Sequence, residues 1–401
     1  MQKTYQNTYI EISAEKELSP DEIVRYSRHL VIPEVGIEGQ QKIKNAKVLL
    51  IGAGGLGSPV SMYLAAAGVG KLGIVDFDTV SYSNLQRQVI FNTDDVGKHK
   101  AETVKKKLND INPNTEIETY NTKLTKENAL EIIKGYDIIA DGTDNFASRY
   151  LINDACVLLG KPDVYASILI FEGQVSVFDS GSGPCYRCLF PVPPAPGEIP
   201  SCEEGGVLGV LPGIIGSIQA NEVIKYIIGK GELLKGRLLM LDALKMKFKE
   251  LRFEKNPDCP VCSENPSITE LTDYELFCGV ENADKKNNIM NEHTEWEITV
   301  EELKEKMDKG DKYFLLDVRE PFESDIATLG GTNISVKSLP ARVNEIEAFK
   351  DEEVIVYCRS GARSHHATEF LRDEAGFKNV KNLIGGVLAW SDKIDNTMKK
   401  Y

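Results

Sequence analysis

The run Val48–Pro59, VLLIGAGGLGSP, constrains this chain more than any other stretch. Val48-Leu49-Leu50-Ile51 is apolar without alternation, the pattern of a parallel strand covered on both faces. Gly52, Gly54, Gly55 and Gly57 follow at once, and Ser58–Ala67 reads as a helix that stops before Gly68. A glycine turn between a strand and a helix N-terminus lets backbone N–H groups approach a phosphate unobstructed. Lys71–Val75 predicts the next strand, and Asp76 stands at its end, where a carboxylate can accept hydrogen bonds from ribose hydroxyls. A tight turn without a ligand is the alternative. The combination of strand, turn, helix, strand and terminal acid favours a nucleotide.

A chain of 401 residues is long enough for two or three domains. Its net charge of −14 argues against a nucleic-acid surface. Neither a signal-peptide core nor an apolar run of membrane-spanning length is found, so a cytoplasmic location is expected. In that setting eight cysteines point to metal ligands or catalytic thiols before disulfides.

Residues 1–17 carry no usable pattern. Ser19-Pro20-Asp21-Glu22 is a capping box, and the helix it opens carries Arg25, Tyr26 and Arg28. Beyond Asp76, Ser83-Asn84-Leu85-Gln86-Arg87-Gln88 surrounds an arginine with hydrogen-bonding side chains. Gly97–Lys100 opens a helix to about Leu108, and lysines there oppose the helix dipole, which a nearby anion would explain. Tyr136–Ala140 predicts a further strand, followed by Asp141-Gly142-Thr143-Asp144-Asn145. Loops at the carboxyl ends of strands line the crevice of an open α/β sheet. That rule puts the glycine turn, Asp76, residues 83–88, Asp144 and Asn145 on one rim, although Asp144 could equally cap the helix from Phe146.

From Val164 the pattern VYASILIFEGQVSVFD suits strands that turn antiparallel. Cys185-Tyr186-Arg187-Cys188 follows, and Cys259-Pro260-Val261-Cys262 lies far downstream. Two such pairs can set four thiolates tetrahedrally around Zn²⁺ in a closed, structural site. Two separate redox pairs are the alternative, disfavoured because neither opens an apolar helix. Between them, Pro191–Pro212 is rich in Pro and Gly and reads as a linker or crossing segment, with Cys202 either incidental or nucleophilic. Gly213–Ile228 predicts an apolar helix, Arg237–Asp242 and Lys247–Phe253 two strands.

Residues 263–295 shift to Asn, Asp, Glu and Lys. The division expected is a first domain over 1–270, a linker over 271–295 and a second domain over 296–401. The second has its own α/β pattern: a helix over Val300–Met307 and strands over Tyr313–Asp317 and Val354–Tyr357. Cys358-Arg359-Ser360-Gly361-Ala362-Arg363-Ser364 then leads into a helix to about Asp373. A cysteine in a loop closing onto a helix N-terminus has backbone amides and a positive dipole end to hold a thiolate or persulfide. Arg359 and Arg363 would add positive charge.

Taken together, residues 18–270 resemble the ThiF/MoeB/HesA family of ubiquitin-activating-like adenylyltransferases. The motifs are R-Y-x-R at Arg25–Arg28, GAGGLGSP, DFDTVSYSNLQRQ, the Lys100 helix, DGTDN and both C-x-x-C pairs. Residues 296–398 resemble a rhodanese domain through LLDVRE at 315–320, the CRSGARS loop and LIGGVLAW. The domain order resembles the adenylyltransferase–sulfurtransferases of molybdenum-cofactor synthesis and tRNA thiolation. The fold so implied is α/β: a Rossmann-like nucleotide-binding domain with an antiparallel extension and structural zinc, plus a smaller α/β rhodanese domain.

The resemblance implies roles residue by residue. Gly52, Gly54, Gly55, Gly57, Asp76, Ser83, Asn84, Leu85, Gln86, Arg87, Lys100, Asp144 and Asn145 would bind ATP, Asp144 with Mg²⁺. Arg28 would reach the neighbouring subunit's phosphates, which implies a homodimer. Cys185, Cys188, Cys259 and Cys262 would hold Zn²⁺, Cys202 would meet the activated carrier, and Cys358 would carry the persulfide. The substrate would be the C-terminal glycine of a small ubiquitin-like sulfur-carrier protein, with a cysteine desulfurase or thiosulfate as sulfur donor. Since the chain has no G-x-x-x-x-G-K-[ST], its phosphate clamp must come from separated residues. A nicotinamide-dependent oxidoreductase fits the glycine turn and Asp76 as well, but explains neither Arg87, Lys100, the C-x-x-C pairs nor the second domain.

Overall fold

The computed structural model describes residues 9–194, 205–278 and 295–401. It divides into two compact units, Met1–Glu281 and Asn282–Tyr401. The first is built on β1 (Lys47–Ile51), β2 (Lys71–Val75), β3 (Glu116–Tyr120), β4 (Ile138–Asp141), β5 (Asp163–Leu169), β6 (Glu172–Phe178), β7 (Arg237–Asp242) and β8 (Lys247–Arg252). They form one sheet in the order β3-β2-β1-β4-β5-β6-β7-β8. Pairings are parallel from β3 to β5 and antiparallel from β5 to β8. The expected antiparallel extension is therefore present.

Why β1 lacks a polar face is visible in its packing. Val48 and Leu50 join one apolar cluster with the helices Gly57–Ala67, Lys100–Ile111 and Leu211–Ile228. Leu49 and Ile51 join another, with Phe146–Leu159 and Ala129–Lys134 on the opposite face. Successive side chains point to opposite faces, so a strand covered on both sides must be apolar at every position. β8, by contrast, is exposed at all its residues, and its Lys, Glu and Arg side chains suit an uncovered edge.

Several elements go beyond the sequence analysis, two of them for a visible reason. β3 is the edge strand EIETY, too short and charged to stand out, and Gly36–Asn45 is a helix with few apolar residues. One expectation is corrected. The segment Pro191–Pro212 is not loop to its end, because Leu211 and Pro212 begin the helix Leu211–Ile228 and are buried. A proline near a helix start costs no hydrogen bond.

The second unit carries a parallel sheet in the order β11-β10-β12-β13-β9. Its strands are β9 (Glu297–Ile298), β10 (Phe314–Asp317), β11 (Thr332–Asn333), β12 (Glu353–Tyr357) and β13 (Asn379–Leu383). β12 repeats the logic of β1: Val354 and Val356 face one core, Ile355 and Tyr357 the other. Among the described residues, no helix is long and apolar enough to cross a membrane.

Candidate functional site

In the first unit, chain order reverses between β1 and β4, the switch point at which an open sheet leaves a crevice. The glycine turn leaves β1 there. Gly52 has φ +93°, and a Cβ on it would stand 2.9 Å from the Gly142 carbonyl oxygen. At Gly57 a Cβ would fall 2.1 Å from the Gly52 oxygen, so only glycine lets the helix start this close to the strand. Gly54 lies against Gln88, and Gly55 against Pro212 and Arg87. Two otherwise distant segments thus converge on the turn.

Asp76, at the end of β2, is buried and already partnered. Its Oδ2 accepts from the Ala53 N–H at 2.8 Å and its Oδ1 from the Asp78 N–H at 2.9 Å. Burial raises its pKa, against the opposing field of Lys100. The carboxylate therefore braces the glycine turn with one lone pair on each oxygen and leaves the others for a ligand.

Lys100 is the first residue of the helix Lys100–Ile111, and its Nζ binds Asp78 Oδ2 at 2.9 Å. Lys98 pairs with Asp95 at 3.4 Å. The anions that offset these lysines at a helix start are the chain's own carboxylates. Ser83, Asn84, Leu85 and Gln86 lie in and just after the short 3₁₀ turn Tyr82–Asn84, where Asn84 Oδ1 accepts from the Ser81 N–H at 3.1 Å. Arg87 is held by the Ser83 carbonyl at 3.0 Å. Gln88 is buried beside Gly54 with no hydrogen-bond partner for its Oε1.

At the end of β4, Asp141 is fully buried and Asp144 and Asn145 are exposed. Asn145, not Asp144, caps the next helix: its Oδ1 accepts from the Ser148 N–H at 2.9 Å. Asp144 is thereby released from the capping role that the sequence allowed. Asp141 accepts twice from Thr143, at 2.8 and 2.7 Å, which fixes the DGTDN turn, and burial raises its pKa. Arg28, on the short helix Ser27–Leu30, is exposed. Cys202 lies outside the described residues.

The four C-x-x-C cysteines come together. Sγ–Sγ separations are 3.9 Å for Cys185–Cys188, 3.6 Å for Cys185–Cys259 and 3.4 Å for Cys188–Cys262, and all four lie within 4.8 Å of one another. Tetrahedral Zn–S bonds of about 2.3 Å require edges of about 3.8 Å, so the cluster fits such an ion. The donor set can hold a metal. One feature that the sequence analysis missed supports it. Arg187, inside the first pair, makes two 2.8 Å contacts to Asp154, and both side chains are buried. Tyr274 donates to the same carboxylate at 2.8 Å.

In the second unit Cys358 directly follows β12 and is fully buried. The Gly361 N–H donates to its sulfur at 3.1 Å. Ser364 Oγ lies 3.4 Å from the sulfur and 3.0 Å from the Gly361 oxygen, so its single proton serves one at a time. Gly361, at φ +97°, turns the loop onto the helix Ala362–Asp373. The expected arginines are more constrained than their spacing suggests. Arg363 makes a bidentate pair with Glu323, at 2.7 and 2.8 Å, and Arg359 Nε donates to the Tyr401 oxygen. Burial lowers the Arg363 pKa, but Glu323 and the neighbouring Cys358 outweigh it and raise the value.

Comparison with known proteins follows this geometry. The ThiF family model matches residues 26–261, and the rhodanese-like domain model matches residues 299–393. The chain is 47% identical to the probable adenylyltransferase/sulfurtransferase MoeZ of Mycobacterium tuberculosis, over 96% of each chain. It is 43% identical to the adenylyltransferase and sulfurtransferase MOCS3 of Drosophila sechellia, over 96% of this chain and 86% of that one. Among solved structures, E. coli MccB with ATP is similar at a TM-score of 0.54 and 26% identity, covering 60% of this chain and 74% of that one.

Proposed function

The chain belongs to the ThiF family and carries a C-terminal rhodanese-like domain, and from this we propose that it activates a carrier protein with ATP and then transfers sulfur to it. It is an adenylyltransferase and sulfurtransferase. The substrate we assign is the C-terminal glycine of a small ubiquitin-like sulfur carrier, in the cytoplasm. The dehydrogenase reading finds no support in the relatives. The observation that carries the proposal is the coexistence, in one chain, of a braced glycine turn at a sheet switch point and a cysteine whose sulfur accepts from the Gly361 N–H of its loop.

A carboxylate resists nucleophiles because oxide is a poor leaving group. Its attack on the α-phosphorus of ATP forms a carboxyl–AMP anhydride and expels pyrophosphate. We assign the phosphates to the turn of Gly52–Gly57, with Arg87 and Lys100 compensating the charge that develops. Lys100 is paired with Asp78 at rest, and phosphate oxygens would compete for that same Nζ. Asp144, exposed on the rim, would hold Mg²⁺, which would supply further charge compensation. Arg28 would serve the site of a second subunit, and the Cys185, Cys188, Cys259 and Cys262 cluster would hold a structural Zn²⁺.

For the sulfur step, the terminal sulfur of a Cys358 persulfide attacks the activated carbonyl and AMP leaves, giving an acyl disulfide. A second thiolate, assigned to Cys202, attacks the Cys358 sulfur. The carrier departs as a thiocarboxylate, and a Cys202–Cys358 disulfide remains for an external thiol to reduce. The persulfide comes from a sulfur donor, a cysteine desulfurase or thiosulfate. The test is Cys358→Ala. It should retain carrier-dependent ATP–pyrophosphate exchange and yield no thiocarboxylated carrier by intact mass. Thiocarboxylate at the normal rate, without added sulfide, would refute the assignment.

A further inference from the structure

Tyr401 is tied to the sulfur loop in a way that the reaction has not yet used. Its ring stands 5.7 Å from the Arg359 guanidinium, and its backbone oxygen accepts from Arg359 Nε. Its hydroxyl accepts from Arg319 Nη1 at 2.6 Å and donates to Glu323 Oε1 at 3.0 Å. Glu323 is the carboxylate that grips Arg363 through both its oxygens. Arg319 is fully buried and gives its Nε and Nη2 to Asp317, at 2.8 and 2.6 Å. The hydroxyl is thus the joint between two ion pairs, Asp317–Arg319 and Glu323–Arg363.

We propose that Tyr401 is a positioning residue for sulfur transfer at Cys358: its hydroxyl keeps Glu323 on Arg363 and so fixes where the guanidinium of the cysteine's own loop stands. The physical reason is competition. Without the hydroxyl, Nη1 of buried Arg319 loses its closest acceptor, and the remaining contact to the Glu323 carbonyl is long, at 3.4 Å. Its Nε and Nη2 stay on Asp317, and the freed Nη1 turns to the carboxylate that the hydroxyl had bridged to it, Glu323 Oε1. Glu323 then turns from Arg363, and the charge beside Cys358 is no longer held in one place. A persulfide extends its anionic sulfur about 2 Å past Sγ, so it depends on that placement more than the resting thiol does.

The inference rests on reading Cys358 as the sulfur carrier, and the experiment separates the two. The full-length chain is assayed with thiosulfate as donor and cyanide as acceptor. Cys358 thiolate takes the outer sulfur and releases sulfite, and cyanide removes that sulfur as thiocyanate. Wild type, Tyr401→Phe, Glu323→Gln, the double variant and Cys358→Ala are compared, with rates expressed per alkylatable Cys358. Phe keeps the ring on Arg359 and removes only the hydroxyl. The expected result is a fall of about tenfold in the rate at saturating thiosulfate, the size expected for one hydrogen bond to a charged group. The KM for thiosulfate and the ATP–pyrophosphate exchange should stay within about twofold. In the Glu323→Gln background the Tyr401→Phe change should add less than about twofold, because both act on one joint. A Tyr401→Phe rate within about twofold of wild type, an equal loss in both backgrounds, or a loss confined to the melting temperature overturns the inference and leaves the sulfur-carrier reading standing. Turnover by Cys358→Ala overturns that reading, and the inference with it.

Discussion

Asp154→Asn is the sharpest test of how the cysteine cluster is built. Arg187 and Asp154 are 2% and 0% exposed at their side chains and meet through two bonds of 2.8 Å. The guanidinium lies 4.6 Å from the Tyr150 ring and 4.7 Å from the Phe277 ring, so it has no route to water. Removing one charge of a buried pair strands the other, at a cost of about 3–5 kcal/mol. Asn keeps one acceptor oxygen, which favours the lower end, about 3 kcal/mol. For a domain of this size that corresponds to a fall of about 6–12 °C in the melting temperature of the first unit. Scanning calorimetry of the full chain, with metal content measured alongside, reads it. The four thiolates are untouched, so the metal stoichiometry should hold while the unfolding transition moves. Replacing both partners, Asp154→Leu with Arg187→Met, should cost less than Asp154→Asn, since no charge is left stranded and only two neutral donors, the Tyr274 hydroxyl and Asn153 Nδ2, lose an acceptor. A shift under about 3 °C for Asp154→Asn would refute the reasoning.

Arg87→Ala and Asp144→Ala should each abolish carrier-dependent ATP–pyrophosphate exchange with an unchanged circular dichroism spectrum, and near-normal exchange in either would remove that residue from the assigned clamp. Elemental analysis should find one Zn²⁺ per chain, and strong chelators should lower the melting temperature of the first unit, because the ligands come from segments 74 residues apart; a metal-free purified protein with full stability would count against a structural ion. Acid should loosen the sulfur loop. Burial alone would raise the Glu323 pKa, but Arg363 and the Glu320 N–H outweigh it and hold the value below the usual carboxylate range. Its contribution is therefore complete above about pH 4.3, where an unfolded glutamate ionises, and is lost as pH falls through the lower folded-state value. Amide protection factors in the helix Ala362–Asp373 should fall over that window in the wild type and lose this pH dependence in Glu323→Gln.

Much of the frame was legible because it rests on local rules. β1 and β12 are apolar at nearly every position since both of their faces are covered, and the glycine turn is forced by the 2.1 Å clearance at Gly57. The C-x-x-C pairs announced a tetrahedral cluster that the sulfur distances fit. What stayed hidden depends on contacts distant in sequence. Nothing in Cys185–Cys188 says that its arginine meets Asp154, 33 residues earlier. Arg363 looked like free positive charge because its partner, Glu323, lies 40 residues away and enters only through tertiary packing. Asp144 was the cap that the sequence offered, but a neighbouring asparagine can accept at a helix start as well, and only the folded turn assigns the role to Asn145.

The two units solve one electrostatic problem alike. Each ends a parallel strand in a turn that contains a glycine at positive φ, +93° at Gly52 and +97° at Gly361, and then starts a helix. On the function proposed, backbone amides of each turn would meet the anion, as the Gly361 N–H already meets the Cys358 sulfur. Each unit also holds a side-chain cation on a carboxylate of the chain: Lys100 on Asp78, Arg363 on Glu323. A cation so held does not repel its neighbours while the site is empty, and it is already within reach when an anion arrives. The pairs differ in burial, and the difference has a chemical consequence. Asp78 is half exposed, so water can take over its charge when Lys100 turns to a phosphate. Glu323 is 8% exposed at its side chain and has a second anchor in Tyr401, so its charge has nowhere to go. Arg363 should therefore stay on Glu323 throughout sulfur transfer, whereas Lys100, in the phosphate clamp we propose, should change partners in each adenylation cycle.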